Sequence, residues 1–345
     1  MSVLFLDSFD HYVIADEKWD TQFFGGNIHP VVEQGRFTPG ALVIQGSGGG
    51  GDIGKSITSS LEVICGFAYN NLNADSRIGQ VFFEDNLGSQ AVLNMDFTTG
   101  VATLTYNGNT ATTPTTTFTG SVWQHVEIRI KAHDSLGELE IRRNGVTVAS
   151  EINLDTFPGG FTGFESFHPS ATHNSQLHYM DDLYIFDALG TTNNTFAGDT
   201  RITVLRPIAN GLDNDFTPAG AGNNFEAVDD VLHDGDATYV EAGQIGAKET
   251  YTQVDFSALG ISPGTVFCTQ VVNAAKKTDA GQLNYLDQLT IGGIQYDNGV
   301  DVIATSGTYQ MTFLRHDVDP SDGLPWTEAK TNGIGSGLAI TFREV

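Results

Sequence analysis

Glu138-Leu139-Glu140-Ile141-Arg142-Arg143-Asn144-Gly145-Val146-Thr147-Val148 reads as two short strands folded back on each other. Leu139 and Ile141 on one arm, and Val146 and Val148 on the other, alternate with polar residues. That period of two places successive side chains on opposite faces of a strand. Between the arms stands Asn144-Gly145. This pair readily takes the two left-handed conformations of a type I′ turn, whose twist matches that of the strands it joins.

The same pattern recurs outward from this hairpin. Ala41-Leu42-Val43-Ile44, Ser60-Leu61-Glu62-Val63-Ile64-Cys65, Gly79-Gln80-Val81-Phe82-Phe83 and Val101-Ala102-Thr103-Leu104-Thr105-Tyr106 are short, β-rich and bounded by Gly, Asn or Asp, which predicts strands. Asn107-Gly108 and Asn298-Gly299 offer further turns. Later strands are expected at 200–205, 249–254, 265–272, 287–291 and 338–342, and no segment sustains a helical period over three turns. The fold class is therefore all-β, with two antiparallel β-sandwich domains of jelly-roll type, because each half-buried strand needs a second sheet to cover its apolar face. With 345 residues, 40% of them hydrophobic, the chain can bury two cores. Residues 188–198 are polar and turn-rich, so the domains are placed at 1–190 and 199–345 with a linker at 191–198.

A net charge of -26, from 42 acidic against 16 basic residues, is spread over both halves and describes a solvated surface. The only adjacent basic pairs are Arg142-Arg143 and Lys276-Lys277, so a nucleic-acid partner is not expected. No apolar run reaches membrane-spanning length. The opening Met1-Ser2-Val3-Leu4-Phe5-Leu6-Asp7 lacks the basic region of a signal peptide, which points to folding in a cytoplasm and to no membrane partner. Cys65 and Cys268 each sit in an apolar run and read as buried free thiols.

Several motifs compete with a purely structural reading. Gly49-Gly50-Gly51-Asp52-Ile53-Gly54-Lys55-Ser56 matches the Walker A pattern, and Leu183-Tyr184-Ile185-Phe186-Asp187 could pass for its partner strand. The text after Ser56 stays β-rich where a P-loop requires a helix, so nucleotide binding is not expected. His168, His173 and His178 recur every five residues, a spacing that fits neither a helix face nor strand alternation, which favours a loop over a zinc site. Asp317-Val318-Asp319-Pro320-Ser321-Asp322-Gly323 with Glu328 approaches a calcium loop, making Asp317, Asp319 and Glu328 the candidate metal ligands and calcium the candidate cofactor. Asp229, Asp230, Asp234 and Asp236 form a second oxygen-rich cluster. Asp181 and Asp182, adjacent on one strand, are expected to point to opposite faces, so that at most one could meet a shared ion. No Glu-x-Asp-x-x-Glu pattern and no Gly-x-Ser-x-Gly elbow in its strand–turn–helix setting occurs, so neither catalytic nor organic-cofactor residues are assigned. Trp19, Trp123 and Trp326 are expected to fill cores.

Three stretches carry a resemblance. Leu6-Asp7-Ser8-Phe9-Asp10-His11-Tyr12 with Trp19 resembles the opening of concanavalin A-like (laminin-G-like) domains of tailed-bacteriophage virion proteins. Trp123-Gln124-His125-Val126-Glu127-Ile128, the Asn144-Gly145 hairpin and Asp181-Asp182-Leu183-Tyr184-Ile185-Phe186-Asp187 resemble that domain's close. Gly198-Asp199-Thr200-Arg201-Ile202, Leu205-Arg206-Pro207, Phe216-Thr217-Pro218-Ala219-Gly220, Asp236-Ala237-Thr238-Tyr239-Val240 and Trp326-Thr327-Glu328-Ala329 are similar to a module that follows it in phage structural proteins. The resemblance implies a non-enzymatic structural subunit on the particle exterior: tail-associated, fibre-like or head-decorating. The alternative is a carbohydrate-binding phage adhesin that contacts host-surface glycans. It further implies other virion proteins and further copies of the chain as partners, and the virion as final location.

Overall fold

The computed structural model of the chain describes residues 3–12, 18–23, 26–31, 34–37, 40–46, 51–71, 78–171, 178–230, 232–262, 264–278, 282–299, 302–304 and 307–343. It divides into two units, Met1–Thr203 and Val204–Val345. The all-β class holds throughout. Among the described residues no helix is long and apolar enough to cross a membrane.

The first unit opens with β1 (Val3–Asp7), β2 (Thr21–Phe23), β3 (Gly26–Val31), β4 (Ala41–Gly46) and β5 (Gly51–Ser60). It continues through β6 (Glu62–Asn71), β7 (Ile78–Asp85), β8 (Gln90–Asp96), β9 (Val101–Tyr106) and β10 (Asn109–Thr112). It ends with β11 (Gln124–Lys131), β12 (Gly137–Arg143), β13 (Val146–Leu154), β14 (Phe164–Ala171) and β15 (His178–Asp187). These strands form two antiparallel sheets. One has eight strands in the order β13-β12-β11-β6-β15-β4-β3, with β1 also on β15; the other has seven in the order β10-β9-β8-β7-β14-β5-β2.

The sheets pack face to face through large side chains that meet small ones. Tyr69 of β6 lies over Gly79 of β7, where a Cβ would stand 2.2 Å from the tyrosine hydroxyl. Its ring stacks on Phe97 at 5.7 Å. Val81, Phe83, Leu93, Leu104, Phe164 and Phe167 from the seven-stranded sheet are all fully buried; Val81 and Phe83 show the period of two, and a register shift lets Phe164 and Phe167, three residues apart, both face inward.

The hairpin turn forms as expected, with Asn144 at φ 49° and Gly145 at φ 77°; Asn107 and Gly108 repeat it at 46° and 77°. One expectation fails here. Leu139 and Ile141 are buried, but Val146 is 65% exposed, because β13 is the edge strand of its sheet.

At the start of the chain Asp7 is a buried hub. Its carboxylate accepts hydrogen bonds from the Tyr12 hydroxyl at 2.5 Å, the Trp19 indole at 3.0 Å and the Phe9 N–H at 2.9 Å. It also pairs with the buried Lys18 ammonium at 3.1 Å. A buried carboxylate is tolerable only when paired and hydrogen-bonded in this way. The hub joins the residues after β1 to the aromatic core, since Trp19 packs edge-on against Phe5 at 5.2 Å.

In the second unit the strand expected at 200–205 is absent. Those residues are irregular, and the first strand is β16 (Pro207–Asn214). It is followed by β17 (Thr217–Ala219), β18 (Tyr239–Glu241), β19 (Lys248–Gln253), β20 (Thr269–Ala275) and β21 (Leu283–Ile291). The remainder are β22 (Ile294–Tyr296), β23 (Val302–Ala304), β24 (Gln310–His316), a single helical turn α1 (Glu328–Thr331) and β25 (Gly335–Arg343). A six-stranded antiparallel sheet runs β16-β19-β25-β21-β22 with β23 on β21, beside the pairs β17-β18 and β20-β24. Val271, Leu289, Leu314, Trp326 and Ile334 make one core cluster, and Phe216, Ala247 and Ile340 another. Trp19 and Trp326 are buried as expected, and the partly buried Trp123 packs against Ala41, Val43 and Tyr179.

Gly66 of β6 faces Tyr184 of β15 so closely that a Cβ would lie 2.2 Å from the ring, and the ring is held by its 2.5 Å hydrogen bond to Glu127. Gly66→Ala is expected to destabilise the first unit by about 1–3 kcal/mol, the usual cost of overpacking a core. A thermal melt followed by circular dichroism measures it as a lowered midpoint.

Candidate functional site

Phe167 of β14 points into the core, so its neighbours Ser166 and His168 point out of the sandwich on the far side of the seven-stranded sheet. A register shift between Phe164 and Ser166 sets this phase. On that outer face the His168 Nε2 lies 2.9 Å from the Ser166 hydroxyl, and its Nδ1 lies 3.5 Å from Oδ2 of Asp52 on β5. The imidazole stacks on Phe82, its partner in β7, at 4.6 Å and 6° between planes. This fixes the ring plane. The His168 and Asp52 side chains are only 8% and 18% exposed.

A polar row adjoins this group. Ser170 is in register with both Asp52 and Gln80, Gln80 with Asn94 of β8, and Asn94 with Thr103 of β9. The Gln80 amide donates to the Asn94 side-chain oxygen at 2.8 Å. Five adjacent strands therefore carry hydrogen-bonding side chains in one line.

His168 and His178 are not loop residues. They lie in β14 and β15, on different sheets, and both are buried; His173 lies outside the described residues. The structure does not bring His168 and His178 together. Sequence reading missed the Ser166-His168-Asp52 group because Asp52 stands 114 positions before Ser166 and only sheet pairing joins them. The signal present was Ser166-Phe167-His168-Pro169-Ser170, a polar alternation that strand β14 turns into a face.

Within the glycine-rich stretch, Gly49 and Gly50 lie outside the described residues, while Asp52 through Ser56 belong to β5. The Lys55 ammonium donates to the Lys18 carbonyl at 2.8 Å and to Asp20 at 2.7 Å. The lysine of the matching pattern is thus held within the fold.

Asp181 and Asp182 differ from expectation. Asp182 has φ 52°, and the register with β6 shifts between Asp181 and Tyr184. Alternation breaks at this bulge, and both carboxylates are buried. Asp181 accepts from the N–H groups of Arg36 and Asp182, each at 2.7 Å, and Asp182 accepts from the Ile202 N–H at 2.7 Å. The Arg36 guanidinium pairs with Asp199 at 2.6 Å and approaches Asp182 at 3.8 Å. Residues 198–202 are thereby tied to the sandwich, aided by Gly198, whose N–H donates to Glu127 at 2.8 Å. Burial pushes the Asp181 carboxyl up to about 9, with the Asp182 and Asp10 charges adding to it and the Arg36 N–H opposing. Burial raises Asp182 to about 7 against the Ile202 N–H and the Arg36 charge.

The calcium candidates take other partners. Asp319 is buried and accepts from the Ser321 N–H at 2.8 Å, and Lys330 approaches it at 3.3 Å while pairing with Asp322 at 2.7 Å. These contacts hold the Asp319 carboxyl below its ordinary value despite its burial. Glu328 opens α1, which is capped by Thr327, and Asp317 follows β24 at His316. Thr238 donates to Asp230 at 3.1 Å and to Asp234 at 3.0 Å, and Asp236 pairs with Lys276 and accepts from the Tyr309 hydroxyl at 2.9 Å. Among the described residues no group of three or more His, Cys, Asp or Glu side chains is arranged to hold a metal ion.

No protein-family model and no curated protein matches the chain. Solved structures similar to it include an endo-β-1,4-glucuronan lyase from the fungus Trichoderma reesei, at 16% identity and TM-score 0.40, covering 54% of this chain and 95% of that one. A Bacillus subtilis protein of unknown function with a galectin-like fold matches at 9% identity and TM-score 0.39, covering 54% and 96%. A carbohydrate esterase from a Shiga toxin-encoding bacteriophage matches at 10% and 0.37, covering 53% and 99%. The second of these is described as galectin-like, and the first unit of this chain is likewise built of two packed antiparallel sheets. The expectation that the chain is not an enzyme is corrected by these findings. Polysaccharide lyases and a carbohydrate esterase stand among its structural neighbours, so a sandwich of this kind is no ground for excluding catalysis.

The buried pair predicts a pH dependence of known sign. Carboxyls raised above their unfolded value of about 4 stabilise the fold while protonated, so this contribution is complete below pH 4 and is lost as pH rises through 7 and 9. Ordinary carboxylates do not titrate between pH 5 and 9. Below about pH 6.5 the buried, neutral His125 acts in the opposite sense, so thermal midpoints should fall between pH 7 and 9 by an amount worth on the order of 1–2 kcal/mol. The fall should flatten in Asp182→Asn, which removes a charge that raises Asp181, measured by melts at pH 7, 8 and 9.

Proposed function

We propose that this chain is a structural subunit on the exterior of a tailed-bacteriophage particle, and that its first sandwich binds glycan on the outer face of the seven-stranded sheet. The observation that carries the glycan reading is the line Asp52, Ser170, Gln80, Asn94 and Thr103 across five adjacent strands. At the usual strand spacing it extends over about 19 Å, the scale of a short oligosaccharide. Its amides, hydroxyls and carboxylate supply both donors and acceptors, as a polyhydroxylated ligand requires. The net charge of -26, with Lys55 already paired to Asp20, favours a neutral glycan over a polyanionic one.

The virion reading is supported by what the family-like residues do. Asp7, Tyr12 and Trp19 form the hub that anchors the start of the sandwich, and Asp181, Asp182 and Asp199 bind residues 198–202 to it. These motif positions are building elements, as expected of a subunit whose work is to assemble with other virion proteins and with further copies of itself.

Two measurements test the proposal. Mass spectrometry of purified particles should detect the chain as a stoichiometric component, and its absence removes the virion role. On a host-glycan array the protein should give specific signal, which the double substitution Gln80→Ala with Asn94→Ala lowers about tenfold, as expected for two lost hydrogen bonds, with the melting midpoint kept. A blank array removes the glycan role.

A further inference from the structure

Ser166, His168 and Asp52 have the connectivity of a hydrolytic triad. The Nε2 faces the serine hydroxyl at 2.9 Å and the Nδ1 faces the carboxylate at 3.5 Å, so one ring nitrogen is assigned to each partner as nucleophile activation requires. The ring cannot turn freely, because it lies flat on Phe82. Among the described residues neither the Nδ1 of His168 nor the Oδ1 of Asp52 has a hydrogen-bond partner. The Nδ1 contact to Asp52 is to its Oδ2, at a separation that substrate binding commonly shortens. The group is largely shielded from water, yet Ser166 stays partly accessible on the outer face.

We propose that this face hydrolyses O-acyl esters, such as acetyl groups, carried by the glycan it binds, with Ser166 as nucleophile, His168 as proton carrier and Asp52 as the positioning residue for His168. The identity of the acyl carrier rests on the glycan reading; the ester chemistry does not. In the first half, the Ser166 oxygen bonds to the carbonyl carbon while its proton passes to Nε2 of His168. The bond from that carbon to the sugar oxygen then breaks, and the leaving oxygen takes the proton from Nε2. In the second half, water attacks the acyl-serine and gives its proton to Nε2. The carbon–Ser166 bond breaks, the serine recovers the proton, and the carboxylic acid leaves. One ester and one water give one alcohol and one acid.

The full chain is assayed with p-nitrophenyl acetate and with an O-acetylated oligosaccharide, the latter by acetate release. It is also treated with a fluorophosphonate and mapped by peptide mass. The expected result is turnover by the unsubstituted chain, at least a hundredfold loss in Ser166→Ala and His168→Ala, and a fluorophosphonate adduct on Ser166. Asp52→Asn should both slow the reaction and shift its pH profile, which a change in stability alone would not do; circular dichroism melts confirm that each variant is folded. Turnover equal in the unsubstituted chain and Ser166→Ala, or an adduct mapped elsewhere, overturns the proposal. Ser166→Ala on an array of O-acetylated glycans separates the two readings. Binding without turnover by the unsubstituted chain sinks the esterase and leaves the glycan role standing, whereas turnover of the small ester with a blank array sinks the glycan carrier.

Discussion

The wedge of Phe167 between Phe83, 5.1 Å ring to ring, and Trp19, 6.4 Å away, is the contact on which the outer face of the seven-stranded sheet depends. A strand side chain cannot be fixed inward without fixing its two neighbours outward, so burying this ring positions Ser166 and His168. Trp19 is in turn held by hydrogen bonds from its indole to Asp7 and to the Tyr12 hydroxyl. Order therefore passes from the polar hub near the start of the chain, through two aromatic rings, to the imidazole on the far surface. Rigid support of this kind distinguishes a preorganised group from polar side chains that happen to be adjacent.

The eight-stranded sheet uses burial differently. Its central strands β6 and β15 are covered along nearly their full length, and the groups enclosed there include Glu127, His125, Asp181 and Asp182. Burial raises the Glu127 carboxyl and lowers His125 to about 4. Each of these side chains either takes a partner from residues 198–202 or lies beside one that does: Thr200 meets His125 at 3.3 Å, Gly198 meets Glu127, and Ile202 meets Asp182. The Ile202 N–H and the Thr200 carbonyl, which a strand would pair in a ladder, are met here by the Asp182 and Arg36 side chains, and the β-rich text at 200–205 does not become a strand.

How much the sequence disclosed depended on the range of the interaction. Local rules sufficed for Asn144-Gly145 and Asn107-Gly108, for the strands around them and for the all-β class, since turn chemistry and alternation act over a few residues. They also pointed to Trp19 and Trp326 as core residues. They failed where a bulge resets the alternation, as at Asp182, and where position in the sheet decides exposure, as at Val146 on the edge strand β13. The group Ser166, His168 and Asp52 was illegible because its third member arrives through the pairing of β14 with β5. The same pairing shows why a nucleotide-loop pattern misleads: its residues Asp52–Lys55 lie in strand pairs of β5 and the Ser56 N–H goes to Asp20, where a phosphate would need the amides free.

The two cysteines gain a use from their surroundings. Cys65 is fully enclosed in the first unit, and Cys268 is half-buried in the second, donating to the Thr269 carbonyl at 3.2 Å. Burial holds both thiols well above their ordinary ionisation range. Since only the thiolate reacts quickly with alkylating reagents, the enclosed Cys65 is masked while the first unit stays closed, and the half-buried Cys268 reacts slowly until the second unit opens. The natural chain thus carries one built-in chemical clock per unit, able to time their separate openings with no engineered label.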